Sequence, residues 1–521
     1  MRRRVRPVWV VMAAVGLLAA SCGTRLPDEA FQTAAGTGGE VRPGGRTAAA
    51  SGGDQAAGDD ALDTSTASPG APTGSDPGAQ NGAQTPTASE NGGAGGDGGG
   101  AGAGEPTRTG ASATNTASDV GVTASEIKVG NITAVGGPIG PEAFSGMLHG
   151  AQAFFQALNE RGGVNGRKVK FSTCDDRESS DRDLACAQNL VENQKVFALV
   201  AGSTDTFAAG KYIDSKGVPD IGGQPIGNAY YKYPHLFSIL GVDTPRDGKS
   251  VGDKGKLYAQ GGAYRYFKQQ VKIDKAAVFF YFIPISRTAG MFIADGLRQQ
   301  GIEPVYYGGG SDAGMNPAAP TFDTDVIQMR NRGVQGIWNA IDIAGFQKLC
   351  QAMDRYSFRV KANVSTIQGM SQKVGQDFSA PCRNDVWAQT DSKSYAETTS
   401  APVAEFRAAM KKFDPGFRLH QWALEGWAAG KLFTEGVAKM GASPTRKGLV
   451  DWLNSIGDDA DYTIAGLMDD PVSWQPLDHS KPHSDCFDLH QWQDSAGTFV
   501  TRAKQCGDMP YYPYTPTDDG S

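Results

Sequence analysis

Beyond residue 120 the apolar positions alternate between two patterns, short continuous runs and longer stretches with helical spacing. The first pair sets the theme. Residues 127–132 (IKVGNI) read as a strand, and the Gly/Pro-rich segment 136–141 that follows must be a loop. Met147, Leu148, Ala151, Phe154, Phe155 and Leu158 then share one helical face until Gly162-Gly163 stops the helix. The alternation recurs as a strand over 168–172, a helix over 184–193 and an apolar run at 196–201 (VFALVA) that Gly202 ends. A run without polar interruption suits a strand covered on both faces, as in a parallel sheet. A helix over 208–216 and a strand over 218–221 extend the series. A second series opens with AAVFFYF at 276–282, continues with a helix over 290–300 and a strand over 305–307, and repeats at 336–341 and 364–368. Two runs of strand–helix–strand units predict an α/β chain with two doubly wound, Rossmann-like lobes.

The amino-terminal part of the chain breaks this pattern. Arg2, Arg3, Arg4 and Arg6 precede an apolar run over 8–18, followed by Ala19-Ala20-Ser21-Cys22-Gly23. That is a secretory signal peptide over 1–21, with an apolar run too short to span about 30 Å of hydrocarbon. Cys22, directly after small residues, resembles the bacterial lipobox, although Ala19 stands where that pattern prefers leucine. Cys22 is therefore expected to carry a lipid anchor. Residues 22–118 are Gly, Ala, Ser, Thr, Asp and Pro with few large apolar side chains, so they are expected to form a disordered tether with a reach of about 50–60 Å. The expected location is the outer face of the cytoplasmic membrane, in the cell wall or periplasmic space.

An exported chain uses cysteine differently from a cytosolic one. Setting Cys22 aside leaves Cys174, Cys186, Cys350, Cys382, Cys486 and Cys506, an even number. Sequence does not fix connectivity, but pairing of neighbours closes the shortest loops and gives Cys174–Cys186, Cys350–Cys382 and Cys486–Cys506 as the expectation. The formal net charge of −7 supplies no basic footprint for nucleic acid. His479, His483, Cys486 and His490 cluster in sequence, but a disulfide at Cys486 removes the thiolate a metal would need. Gly241 to Gly248-Lys249-Ser250 spaces its glycines too widely for a P-loop, and neither Gly-x-Ser-x-Gly nor His-Glu-x-x-His occurs. No metal, cofactor or catalytic group is expected, and the chain is read as a binding protein rather than an enzyme.

Ligands of open parallel sheets bind beyond the carboxyl ends of the strands. After the strand ending at Ala201 come Gly202-Ser203-Thr204-Asp205-Thr206, hydroxyls and backbone N–H groups suited to an acceptor-rich ligand or to capping the next helix. With residues 127–138, AQAFFQALNERGGVNG at 151–166, Asp175-Asp176, the Ser203 loop, Lys216-Gly217-Val218-Pro219 and Tyr233-Pro234-His235-Leu236-Phe237, the chain resembles bacterial type I periplasmic binding proteins of the leucine/isoleucine/valine-binding class. Residues 466–474 and 497–500 are similar to that family's terminal crossover and hairpin.

The resemblance implies a clamshell whose lobes are joined by three crossovers, lobe I being 119–240 with 390–466 and lobe II 241–389 with 467–521. It implies ligand contacts at Ser203, Thr204, Gln224, Pro225 and Ile226 in lobe I, with Phe144, Arg287, Asp342 and Gln368 at the rim and from lobe II. Ile226 stands where amino-acid binders of the family carry a threonine for the α-carboxylate, and neutral Gln368 where they carry an acid for the ammonium group. Both departures point to a ligand without a zwitterionic head, such as an amide or an organic acid. The implied function is that of a monomeric solute-binding lipoprotein presenting a small molecule to an ABC permease. A ligand sensor coupled to a membrane signalling partner is the alternative, and a hydrolase a more distant one.

Overall fold

A computed structural model describes residues 114–516 apart from 206, 311–312, 458–460, 481–482 and 510. The signal peptide, Cys22 and the tether as far as residue 113 lie outside the described residues. Strands β1 (Glu126–Thr133), β2 (Lys168–Asp175), β3 (Ala198–Val200), β4 (Asp220–Gly223) and β5 (Leu236–Ser238) form an all-parallel sheet in the order β2-β1-β3-β4-β5. After β6 (Leu257–Gln260), strands β7 (Lys275–Phe280), β8 (Glu303–Tyr307), β9 (Gly336–Ala340), β10 (Ala362–Val364) and β11 (Val386–Thr390) build a second parallel sheet with the same order, β8-β7-β9-β10-β11. An antiparallel hairpin, β12 (His483–Gln493) and β13 (Thr498–Met509), extends it from β11. A last strand, β14 (Tyr511–Tyr514), pairs antiparallel with β6.

Helices α1 (Gly146–Glu160), α2 (Ser180–Gln188) and α3 (Gly210–Ser215) connect strands of the first sheet. A short α4 (Gly262–Tyr266) leads into the second sheet, whose connections are α5 (Pro284–Gln299), α6 (Asp323–Asn331), α7 (Ile343–Arg355), α8 (Lys373–Asp377) and α9 (Ala380–Arg383). After β11 the chain returns to the first sheet, where α11 (Gln421–Lys439) packs on β4 and α1, flanked by α10 (Ala401–Phe413) and α12 (Arg446–Asn454). The chain thus passes between the sheets three times, after β5, after β11 and before β12.

Most elements fall where the apolar pattern places them, with local corrections. The helix expected over 290–300 begins at Pro284, whose ring is pre-set for a first turn, where its missing N–H would have had no intrahelical acceptor. The helix expected over 184–193 begins at Ser180 and runs into a wider turn over Asn189–Asn193. The run expected as a strand to residue 368 pairs only to Val364, and Ile367–Gly369 form a single 3-10 turn. Cys174–Cys186 and Cys350–Cys382 are bridged as expected. Closing loops of these lengths stabilises a fold by roughly 3 kcal/mol each in the chain-entropy picture. Cys486 is also disulfide-bonded, and the β12–β13 register sets it opposite Cys506.

The core of the first half depends on how closely α11 approaches its neighbours. Fourteen of its nineteen residues are buried, so it is covered on nearly every side. An added Cβ on Gly150 of α1 would overlap the Ala423 carbonyl oxygen, and one on Gly426 the Met147 carbonyl oxygen. Backbone therefore touches backbone at this crossing. Beside it, Phe154 meets Trp427 edge to face with ring centres 5.0 Å apart.

A buried polar network ties α11 to the chain passages. The fully buried Glu425 accepts hydrogen bonds from Gln224 Nε2, just after β4, and from Ser392 Oγ, just after β11, at 2.8 Å for the latter. Gln421 Nε2 donates to Ser392 Oγ (2.8 Å) and to the Lys393 carbonyl (2.7 Å). Burial pushes the Glu425 carboxyl up to about 7, against the pull of the Ser392 and Gln224 hydrogen bonds.

Two outcomes are expected. Gly150→Ala gains about 1 kcal/mol of helix propensity but forces α1 and α11 apart, for a net loss of about 1–2 kcal/mol in urea unfolding. Glu425, with a folded pKa of about 7 above its unfolded value of 4.5, contributes stability that is complete below about 4.5 and lost as pH rises through about 7. Glu425→Gln mimics the neutral form, so its stability relative to wild type should rise by up to about 3 kcal/mol between about pH 5 and pH 8, read from unfolding curves at both.

Candidate functional site

In the order β2-β1-β3-β4-β5 the direction of winding reverses between β1 and β3, and in the second sheet between β7 and β9. At such points the outgoing loops diverge and leave a crevice at the strand ends. In the first half the crevice loops are those after β1 and β3, joined by a parallel bridge between Thr133 and Ser203. In the second half they are those after β7 and β9, joined by the hydrogen bond of Tyr281 Oη to Asp342 Oδ1 (2.6 Å).

Thr204 Oγ1 accepts from Phe207 N (3.0 Å), closing the turn ahead of α3. Thr204 therefore caps. Ser203 Oγ is buried with no hydrogen-bond partner among the described residues, as is Asp205 Oδ1. Opposite numbers occur after β10, where Thr366 Oγ1 and Gln368 Oε1 are likewise buried and unpartnered. Buried oxygens of this kind cost about 1–3 kcal/mol each when unsatisfied, so they are rare without a reason.

Carboxylates crowd the same strand ends. Asp176 is pushed up to about 7 by burial and then by the charge of Asp183, and burial raises Asp183 to about 6. Asp205 is raised by burial, and Glu178 by burial and by the charges of Asp205 and Asp342. Glu178 belongs to the first half and accepts from Ile139 N at 3.1 and 3.0 Å, while Asp342 belongs to the second and accepts from Tyr281, Ala344 and Gly345. Among the described residues no lysine or arginine forms an ion pair with Glu178, Asp205 or Asp342.

The halves also touch directly. Ser371 and His420 form an antiparallel bridge, with Gln372 N donating to the Leu419 carbonyl (2.9 Å) and Gln421 N to the Met370 carbonyl (3.0 Å). Glu142, ahead of α1, pairs with Lys373 of α8 and with Arg418 at 3.4 Å, and Arg418 reaches Asp377 at 2.8 Å.

The residues singled out from sequence fall into three groups. Ser203 and Gln368 present unpartnered oxygens at strand ends, while Pro225 and Ile226 are half-buried just after β4. Thr204, Gln224 and Asp342 have their polar groups committed, to the Phe207 turn, to Glu425, and to capping α7 through Gly345 N and Ala344 N. Phe144 is buried against Trp422 at 6.4 Å, and Arg287 is exposed on the first turn of α5. Asp205, Glu178 and Thr366 escaped the sequence reading, though Asp205 lies within the loop it singled out. Of the histidines near Cys486, His479 stacks on Tyr258 at 3.7 Å, and His490 is held between Thr390 (2.9 Å) and Thr501 (3.2 Å).

Comparison with known proteins agrees with this geometry. The structure is similar to the isoleucine-bound substrate-binding protein LivJ of Streptococcus pneumoniae, at 15% identity and TM-score 0.55 over 74% of this chain and 100% of that one. It is similar to a benzoate-bound solute-binding protein of R. palustris, at 15% identity and TM-score 0.54 over 73% and 96%. A fatty acid ABC transporter substrate-binding protein from Thermomonospora curvata matches at 14% identity and TM-score 0.55 over 75% and 94%. No curated protein matches the chain closely enough to add to this. At these identities the likeness establishes the fold, two doubly wound α/β lobes of type I periplasmic binding architecture. A model of the periplasmic binding protein family matches residues 126–496, and with that span the chain belongs to the periplasmic binding protein family.

Proposed function

We propose that the chain is an extracytoplasmic solute receptor, anchored through Cys22, that captures a small molecule between its lobes and delivers it to an ABC permease. The lobe boundaries near residues 240, 390 and 466 belong to the same proposal. The observation that carries it is the set of buried, unpartnered oxygens, Ser203 Oγ and Asp205 Oδ1 on one sheet and Thr366 Oγ1 and Gln368 Oε1 on the other. All four can accept a hydrogen bond, and two can accept only. Asp205 adds a carboxylate to this set, so the site favours a ligand rich in N–H or O–H donors, an amide, amine or polyol. It disfavours the organic acids among the expected ligands, because a carboxylate would meet Asp205 and acceptor oxygens.

Ser203 is 0% exposed, so a ligand reaches it only when the groups that cover it move aside. Closure around cargo then requires that the cargo bind the closed form more tightly than the open one. The crossings and the Glu142–Lys373 pair are the elements such a motion must bend or break.

A thermal-shift screen of the mature chain against amides, amines, amino acids, polyols and monocarboxylates tests the reading. Donor-rich compounds should stabilise the protein, by about 3 kcal/mol at a hundredfold excess over Kd. Ser203→Ala and Gln368→Ala should each weaken the best compound about tenfold in calorimetric titration, with the unliganded melting temperature not lowered. A largest response to monocarboxylates, or unaltered affinity in both variants, would contradict the proposal.

A further inference from the structure

His420, immediately ahead of α11, stands where the two halves are joined by backbone. It bridges Ser371 of the second half, with Gln372 N donating to the Leu419 carbonyl and Gln421 N to the Met370 carbonyl, and the Gln372 side chain accepts a third bond from Leu419 N at 3.0 Å. The imidazole is buried at the same point. It lies against the backbone of α1, where a Cβ added to Gly146 would overlap its Cε1 atom, and beside Phe417, with ring centres 5.3 Å apart. Phe417 in turn stacks on His149 at 4.1 Å, and His149 Nδ1 is 2.5 Å from Asp414 Oδ2. His420 Nδ1 is buried and has no hydrogen-bond partner among the described residues.

The charged groups around this ring come from every element packed against it. Helix α1 supplies His149, with Glu142 just ahead of it, the second half supplies Lys373 and Asp377 of α8, and the segment leading into α11 supplies Asp414 and Arg418. The carboxylates among them are engaged elsewhere: Asp414 with His149, Glu142 with Lys373 and Arg418, and Asp377 with Arg418. Glu425, further along α11, accepts from Gln224 and Ser392. An imidazolium carries a proton on both nitrogens, so charging the ring would put a donor on Nδ1 with nothing to accept from it. Burial, then the charge of His149, then that of Lys373, hold His420 down from the ordinary 6.5 to about 3.

We infer that the His420 junction is an acid-sensitive clasp between the halves, which holds while the buried imidazole is neutral and is released when the ring, exposed to water, takes a second proton. Above about pH 6.5 the ring is neutral whether the clasp is closed or open, and the clasp has its full strength. As pH falls from 6.5 towards 3 only the open form takes up the proton, so opening gains about tenfold per pH unit. Glu425 acts in the opposite direction, because acid neutralises a carboxyl whose neutral form burial already favours. Loosening in acid therefore separates the clasp from the Glu425 network, and it holds whichever cargo the protein takes.

Amide hydrogen exchange of the mature chain, read by mass spectrometry at about pH 7.5 and about pH 5.5 and corrected for the intrinsic pH dependence of exchange, tests the inference. Protection of Gln372 and Gln421, whose N–H groups span the clasp, should fall about tenfold at the lower pH while that of α7 holds. His420→Gln, which cannot be charged, should lose this response. His149→Asn should keep it, since burial of His420 outweighs the neighbouring charge. The inference fails if wild-type protection at the clasp is the same at both pH values, if α7 loses protection equally, if His420→Gln responds as the wild type does, or if His149→Asn abolishes the response. The wild-type and His149→Asn measurements decide the matter should His420→Gln not fold.

Discussion

A parallel strand covered on both faces can meet solvent only at its ends, and this restriction decides where the molecule can work. Both sheets wind outward from an inner strand, β1 in one and β7 in the other, so the loops that leave β1 and β3, and β7 and β9, part company at the carboxyl edge. Ser203 and Asp205 stand on one of these edges, with Tyr281 and Asp342 on the other. The acidic character of the edges follows from the same geometry, since Asp176 and Asp183 sit behind them at a depth where burial, before any neighbouring charge, sets their ionisation.

The passages between sheets carry a different burden. They are tied to α11 through Glu425, whose hydrogen bonds from Gln224 and Ser392 join a loop of the first sheet to a passage out of the second. A carboxyl in so apolar a helix is tolerated because both its oxygens are used. It also ties the passage after β11 to the first sheet. Near it, the Ser371–His420 bridge and the Glu142–Lys373 pair add contacts between the halves.

Much of this was legible in the residues. Uninterrupted runs such as 196–201 and 276–282 announced covered strands, and neighbouring cysteines announced two of the bridges now seen, because both signals are local. Pro284 was a helix-start signal that the apolar spacing of 290–300 overshadowed. The β6–β14 pair was not legible at all: each strand has four residues, Pro513 interrupts one of them, and the partners lie some 250 positions apart. Site residues fared worst, since Thr204 and Ser203 are chemically near-equivalent on paper and only the Phe207 turn separates a cap from an unpartnered hydroxyl. Glu425, between Trp422 and Trp427 on one helix, was a visible anomaly whose meaning required Gln224 and Ser392 to be brought to it.

The order of segments along the chain has a consequence for biogenesis. Helix α11, which seals the first sheet, is made only after every parallel strand of the second, and the hairpin that completes the second sheet comes later still. An emerging amino-terminal portion therefore has no finished interior to settle into, and contacts between distant positions dominate the final state, a topology that folds slowly. A polypeptide that threads through a translocation pore benefits from that delay, because premature compaction on the wrong side of the membrane would block its passage.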